Sequence, residues 1–555
     1  MNTTNNSFNK IIAFSIAMVT LLAAIIAFLQ GDAAARDDRA NRDSKQYAVQ
    51  AFGREVSGNA GYNFDYHVYN LANRYGLQSI ASSNRGDVQA ALRYVKLAQE
   101  VTQFSPLLAP PYTKFSPDGM LNVDDARYEA DTYLIETTAL RENFLAASAV
   151  KEGWDYKANT YIKHITLLAV ALFLFGLSTT LSQGPTKWIF SASGTAFTIV
   201  GVVWAAFTVF LPVFDLRTQG NAIQDYAQAV GLSYQGRSKE AITAFDKAVA
   251  AYPNYTNALV GRAEAYLALE DYLAAAKDYE AAIADGDSSA YVAGDLGWTY
   301  YLLGRFDDSV KLNRNALQKS PDELWIRFQL GLVLLVNGEA DAAKEEYTQG
   351  MNLASQMVAE AKATAKEPPS YLWWGLEDGA NALEYLLYHL DNPQAAPPIN
   401  KILKPQVVKS TAKQMVYQLK SLALGLEYNG KPTATTNAKI SALQFAEPIL
   451  NDAGEVIRYK EPTNTFKYGI NEIGVMFDYE KMKNGSDTLM KLYVNDEEDP
   501  SWRTIERWEL GEKGNTVIPL NYAYSDTYTF DEGDYMVEIY VDYQLVQQGN
   551  FSITK

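Results

Sequence analysis

Cysteine is missing from all 555 residues, and histidine occurs three times. Without thiols there can be no disulfide, no Cys-ligated zinc, no iron–sulfur cluster and no thiolate nucleophile. Three imidazoles leave little material for a His-rich metal site or for His-based acid–base catalysis. Positive charge is also in short supply. The 48 Lys and Arg face 65 Asp and Glu, a net charge of −17, which argues against nucleic acid as a main partner, because phosphate binding needs a basic surface. The sequence carries no Gly-x-Gly-x-x-Gly, no phosphate loop ending in Gly-Lys-Ser/Thr, no His-Glu-x-x-His and no Gly-x-Ser-x-Gly. His67 lies among Tyr62, Phe64, Tyr66 and Tyr69 with Asp65 close by, but residues two apart on a helix point in different directions. The expectation is a protein that is not an enzyme and holds neither cofactor nor metal.

What is present is apolar and periodic. Hydrophobic residues make up 48% and charged residues 20%, the balance of folded domains rather than of disorder. Three uncharged runs, 11–29, 165–181 and 188–214, are long enough to cross a bilayer as helices. Ala33-Ala34-Ala35 after the first would also suit a signal-peptidase site; its length and the two spans that follow favour an uncleaved anchor. The short link 182–187 makes the last two a hairpin. Residues 1–30 are then a first transmembrane helix, 31–164 a helical hairpin stalk and 165–214 transmembrane helices two and three. Helical spacing in 46–75, 87–104 and 124–162 builds the stalk, with 105–119 a proline-rich loop. The stalk is also a candidate surface for homo-oligomerisation. This layout resembles a family of uncharacterised small bacterial membrane proteins over about the first 213 residues, which implies an architecture and no activity.

From about 220 to 351 the chain repeats every 34 residues without insertion. Ala229, Ala263, Gly297 and Gly331 form one column. Ala241, Ala275, Ser309 and Ala343 form a second, Phe245, Tyr279, Asn313 and Tyr347 a third, and Ala248, Ala282, Ala316 and Gly350 a fourth. Small residues let two antiparallel helices cross closely, and a ring fills the space beside them; each pair leaves an apolar face for the next to cover. This register resembles the tetratricopeptide repeat (TPR) family over four units, 220–354. Asn313 departs from the aromatic column, and Asp287 stands where a Pro would end the second unit. The resemblance implies a superhelix whose concave groove, lined by the first helix of each unit, binds a peptide or protein. Carried over by column, the groove residues are Asn257, Glu264, Tyr291, Trp298, Tyr301, Trp325 and Phe328. The competing reading is that several of these rings pack against the helices that follow. Those helices, in 355–430, are expected to cap the solenoid, with Trp373 and Trp374 in its core.

After 437 the pattern changes to period two, as in Ile473–Tyr479, Met490–Val494 and Met536–Val541, with Asn484-Gly485, Gly511–Gly514 and Gly533-Asp534 as turn signals. This predicts an antiparallel β-sandwich over 438–555. It holds 21 acidic and 11 basic residues, so most of the chain's excess charge sits here. The acidic run Asp496–Asp499 lacks the alternate spacing and the Gly of a calcium loop and reads as a solvated hairpin tip. Phe477-Asp478-Tyr479, Gly533-Asp534-Tyr535 and Gly549-Asn550-Phe551 resemble immunoglobulin-like modules of bacterial envelope and secreted proteins, which implies an extracytoplasmic place and an interaction role.

The fold class expected is therefore a multi-domain membrane protein: an all-α transmembrane anchor and stalk, an α-solenoid and a C-terminal antiparallel β-sandwich. Its function is that of a multi-pass membrane scaffold binding a protein or peptide partner in its groove. Two rival readings stay open, a ligand-sensing or transport-accessory subunit and a carbohydrate-binding or adhesive envelope protein acting through the sandwich. Counting Lys and Arg near the spans places the large segments in the cytoplasm. The lack of Cys and the module resemblance place them outside, and the outer face is the expectation.

Overall fold

The computed structural model describes residues 3–115, 121–181, 185–392, 397–427, 436–450, 456–499, 504–521 and 529–555. It divides into two compact units, Met1–Asp287 and Ser288–Lys555, so the division falls between the second and third repeats rather than at an end of the repeat array.

In the first unit, helix α1 (Thr3–Asn84) runs without a break through the first apolar span and one leg of the stalk. At 1.5 Å per residue it is about 120 Å long. Its buried residues Ile12, Val19, Ile26, Ala33 and Ala40 recur every seven positions, the repeat that keeps one seam facing a partner helix. Gly86, at φ 78°, breaks the run, and Asp87 caps α2 (Val88–Thr102) by accepting from the Ala90 N–H. The proline-rich segment is less irregular than expected. Besides a 3₁₀ turn at Pro106–Leu108 it contributes strand β1 (Thr113–Phe115), paired with β2 (Leu121–Val123).

Helix α3 (Asp125–Glu129) passes through a π turn (Ala130–Leu134) into α4 (Ile135–Thr180). The second leg therefore does continue into the second span. Along the stalk α4 is tied to α1 by Ser44–Ser148 (2.8 Å), Arg54–Glu136 (2.6 Å) and Arg141–Glu55 (2.7 Å). Asp65 accepts from the Tyr128 hydroxyl at 2.5 Å, and His67 is exposed, so Asp65 serves a structural bond rather than an Asp–His pair. The third span, α5 (Pro185–Phe210), ends sooner than the uncharged run, ahead of Pro212. Gly194 and Gly201 let it approach α4, since a Cβ there would meet Phe175 at 3.2 Å and Leu168 at 3.4 Å.

Two helix pairs complete this unit, α6 (Ala222–Tyr234) with α7 (Ser238–Ala251) and α8 (Thr256–Leu267) with α9 (Tyr272–Ala284). The predicted columns are buried: Ala229, Ala241, Ala248, Ala263, Ala275, Tyr279 and Ala282 have no exposed surface, and Phe245 is 1% exposed. Arg262 of α8 bridges Asp246 (2.6 Å) and Asp278 (2.7 Å) on the outer helices.

The second unit holds the pairs α10 (Ala290–Leu302) with α11 (Phe306–Lys319) and α12 (Leu324–Val336) with α13 (Ala340–Ala363). Residues 355–363 extend α13 instead of forming a separate cap helix. Then α14 (Ser370–Asp391) and α15 (Pro405–Glu427) follow. Gly375 and Gly379 seat α14 on α12; a Cβ at either would meet Leu324 at 2.9 Å or Phe328 at 2.8 Å. Where the aromatic column carries Asn313, packing is replaced by hydrogen bonding. Ser309 Oγ donates to the Gly297 carbonyl (2.6 Å), and Gln329 Nε2 donates to Asn313 Oδ1 (3.0 Å). These groups are buried, and buried polar groups persist where their partners are supplied.

The C-terminal strands are β3 (Lys439–Ile440), β4 (Gln444–Ala446), β5 (Pro448–Leu450), β6 (Val456–Tyr459), β7 (Thr465–Lys467), β8 (Glu472–Glu480), β9 (Asp487–Val494), β10 (Glu497–Glu498), β11 (Thr504–Arg507), β12 (Lys513–Asn521), β13 (Gly533–Val541) and β14 (Gln544–Thr554). One sheet orders β10-β9-β13-β14-β7, with β11 also on β9; a second orders β12-β8-β3, with β4 also on β8; β5 and β6 form a separate pair. Phe445, Val475, Leu520, Leu492, Val537 and Phe551, drawn from both larger sheets, share one buried cluster. Two expectations are corrected. The β14–β7 pair is parallel, not antiparallel, and Gly533-Asp534 opens strand β13 rather than a turn. Asn495-Asp496 and Asp542-Tyr543 all have positive φ, the geometry of two-residue hairpin turns that follow strand twist. Asp496–Asp499 thus belongs to the β9–β10 hairpin, and the described residues contain no cluster able to hold a metal. Lys420 of α15 reaches the fully buried Glu538 of β13 at 2.7 Å and Glu384 of α14 at 2.8 Å.

Candidate functional site

The inner helices of the repeats meet two different environments. In the first unit, α4 packs on α6. Ala139 and Ala146 bury against Ile223 and Ala227, and Gly231 is needed because a Cβ there would lie 2.5 Å from Ile135. The polar centre of this joint is Glu142, 6% exposed. It accepts from the Tyr255 hydroxyl at 2.7 Å and from Asn257 Nδ2 at 2.9 Å. Burial pushes the Glu142 carboxyl above its usual range, against the two hydrogen bonds, which favour its charged form. The stalk helix thus lies where the resemblance places an external ligand, and Asn257 is committed to the chain's own α4. Glu264, on α8, is exposed.

In the second unit, α10, α12 and α14 enclose a cavity of about 410 Å³, lined by Asp295, Trp298, Trp325, Gln329, Asp378, Gly379, Asn381, Ala382 and Tyr385. Trp298 packs on Tyr301 (ring centroids 4.9 Å) and lies 6.3 Å from Tyr385; Trp325 meets Tyr291 edge-on at 6.1 Å. The Trp325 ring needs Gly294 beneath it, where a Cβ would be 2.2 Å away. On α14, Asp378, Asn381 and Tyr385 share one face with Trp374 at helical spacing, and Trp374 is 66% exposed, not core. Partial burial raises the Asp378 carboxyl above its ordinary range.

Of the seven expected groove residues, Trp298 and Trp325 line the cavity and Tyr291, 55% exposed, stands beside it. Two are corrected. Tyr301 (0%) and Phe328 (1%) are buried: Tyr301 packs on Trp298 and Phe306, and Phe328 stacks on Tyr347 at 5.5 Å. Asn257 and Glu264 belong to the first unit and lie outside this cavity. Column logic missed Asp295, Gln329, Asp378, Asn381 and Tyr385. The signal for the last three was the 378, 381, 385 spacing beside Trp374, in a helix read only as a cap. Glu142 carried no signal, being 113 residues from Tyr255.

Residues 226–291 match the tetratricopeptide repeat family. These helix pairs are tetratricopeptide repeats. No curated protein matches the chain. Among solved structures, YrrB, described as a TPR protein with an unusual peptide-binding site, is 17% identical with a TM-score of 0.24, covering 32% of this chain and 94% of its own. MamA from Desulfovibrio magneticus RS-1 is 18% identical with a TM-score of 0.24, covering 34% and 96%. A TPR protein from Parabacteroides merdae ATCC 43184 is 11% identical with a TM-score of 0.23, covering 62% and 99%.

Proposed function

We propose that this protein is a membrane-anchored TPR scaffold that holds a peptide or protein partner against the inner face formed by α10, α12 and α14. The cavity between those helices carries the reading, because it gathers two tryptophans and a tyrosine at a surface with polar groups among them, the composition of interaction hot spots. The membrane part of the proposal is supported by three helices apolar enough to span a bilayer. Phe14, Phe28, Phe173, Val203 and Phe207 on them are 57–74% or similarly exposed apolar side chains that water would penalise and lipid would not. On the stalk part of α1, Val49, Phe52 and Val56 are exposed at helical spacing, which supports self-association there.

The two-sheet module fits the immunoglobulin-like sandwich reading, and with the absence of Cys it supports an extracytoplasmic position for the stalk, repeats and strands. Protease added to intact cells, or to spheroplasts, should remove a tag placed after Lys555; full protection until the membrane is opened would put these parts in the cytoplasm. The binding test is Trp298→Ala. If Trp298 is an anchor, crosslinked partner recovered from native membranes should weaken by about 2 kcal/mol in affinity. Unchanged affinity with a lowered melting temperature would make Trp298 a packing residue instead. The docking of α4 on α6 through Glu142 is the observation that favours the sensor reading, since it gives the stalk a direct hold on the first repeat.

A further inference from the structure

We propose that the cavity between α10, α12 and α14 receives a cationic side chain, the guanidinium or ammonium of an extended basic peptide. This rests on the reading of that face as the partner surface and names the chemistry it selects.

The lining has the character of a cation receptor. Its charged members are Asp295 and Asp378, and neither Lys nor Arg contributes to it. Its aromatic members, Trp298, Trp325 and Tyr385, supply ring faces that attract cations. The hydrogen-bonding balance points the same way. Trp325 Nε1 already donates to Glu323 Oε2 at 3.2 Å. Gln329 Nε2 donates to the Gly294 carbonyl at 2.8 Å and to Asn313 Oδ1 at 3.0 Å, so both of its N–H groups are used. What Gln329 has left for a ligand is its carbonyl oxygen, an acceptor. Two carboxylates and this oxygen ask for a ligand rich in donors, and a guanidinium carries five with no acceptor. An acidic peptide would instead meet two carboxylates at short range, a juxtaposition that rejects wrong partners.

The volume of about 410 Å³ falls within the range of small-ligand sites. The exposed Trp374, one turn before Asp378 on the same face of α14, and the exposed Tyr291 give the flanking residues of such a peptide apolar surface to lie on. The arrangement depends on the aromatic-column substitution at Asn313, because Asn313 Oδ1 is what holds Gln329 in place.

The test uses the full chain in detergent micelles and a positional-scanning library of octapeptides, acetylated and amidated, with one position fixed as Arg, Lys, citrulline or Glu. The Arg and Lys pools should bind about tenfold more tightly than the citrulline pool, and the Glu pool should bind least. The double variant Asp295→Asn, Asp378→Asn should bring the Arg pool down to the citrulline level. If Asp295→Asn alone fails to fold, Asp378→Asn, at an exposed position, should still cut the Arg preference at least in half. Equal binding of all pools would overturn the cation preference and leave the partner surface standing. No binding by any pool would overturn both. An Arg preference unchanged in the variants would overturn the assignment to this cavity.

Discussion

At the scale of single residues, the turns between paired helices show how the repeat uses glycine. Gly236, Gly304 and Gly338 occupy the same repeat position and take φ of 70°, 66° and 90°. The second repeat has Glu270 there, at φ 60°, where a Cβ costs about 1–2 kcal/mol. Glu270→Gly should therefore stabilise the first unit by about 1 kcal/mol after glycine's greater chain entropy is counted, read as slower amide exchange in α8 and α9. Faster exchange would mean that Glu270 makes a compensating contact. Glu142 sets a pH dependence. Its folded-state affinity for a proton is raised by burial, so between the ordinary and the raised value the folded chain holds a proton that the unfolded chain has lost. Stability must then fall as pH rises through that window. Glu142→Gln keeps an oxygen to accept from Tyr255 and removes the titration, so its melting temperature relative to the parent should rise as pH goes from about 5 to about 7. Parallel melting profiles would show that Glu142 does not titrate there. Nothing in the sequence announced Glu142, because a lone glutamate on a polar stalk helix gives no hint of the residue it will meet.

At the scale of elements, the 34-residue register was legible because close packing leaves so little freedom. A column that must be small is small in every repeat, as at Ala229, Ala263, Gly297 and Gly331. The same columns could not tell an inward ring from a lateral one. Tyr301 lies one turn beyond Trp298, and that turn is enough to bury it, while Phe328 is claimed by Gly379 of α14 and Tyr347 of α13. The register makes a sharp prediction at Gly297, where a Cβ would stand 2.9 Å from Asn313 and Gln329. Gly297→Leu should cost about 1–3 kcal/mol, whereas Lys311→Leu, on the exposed face of α11, should stay within about 0.5 kcal/mol. A thermal-melt series in which both are tolerated equally would refute the assigned packing. The sheets were legible as strands from period-two alternation, but the parallel β14–β7 pair was not, since pairing direction is set by distant segments rather than by local pattern.

At the scale of the whole molecule, the sequence announced an apolar anchor, a helical stalk, the repeats and a β module, and each corresponds to elements of the structure. What it could not announce is which surfaces are already used. Asn257, expected to face a partner, faces α4 of its own chain, and α14, expected only to cap, supplies part of the cavity wall. The account therefore concentrates partner binding on α10, α12 and α14. The most direct test places a photo-activated crosslinking amino acid at position 374, on the rim of the cavity, and, for comparison, at position 311 on the outer helix α11, in chains expressed in their native membranes. The account predicts a discrete adduct from position 374, absent from position 311 and lost when Trp298→Ala is added. Adducts of equal yield from both positions, or an adduct from 374 that Trp298→Ala leaves unchanged, would contradict it.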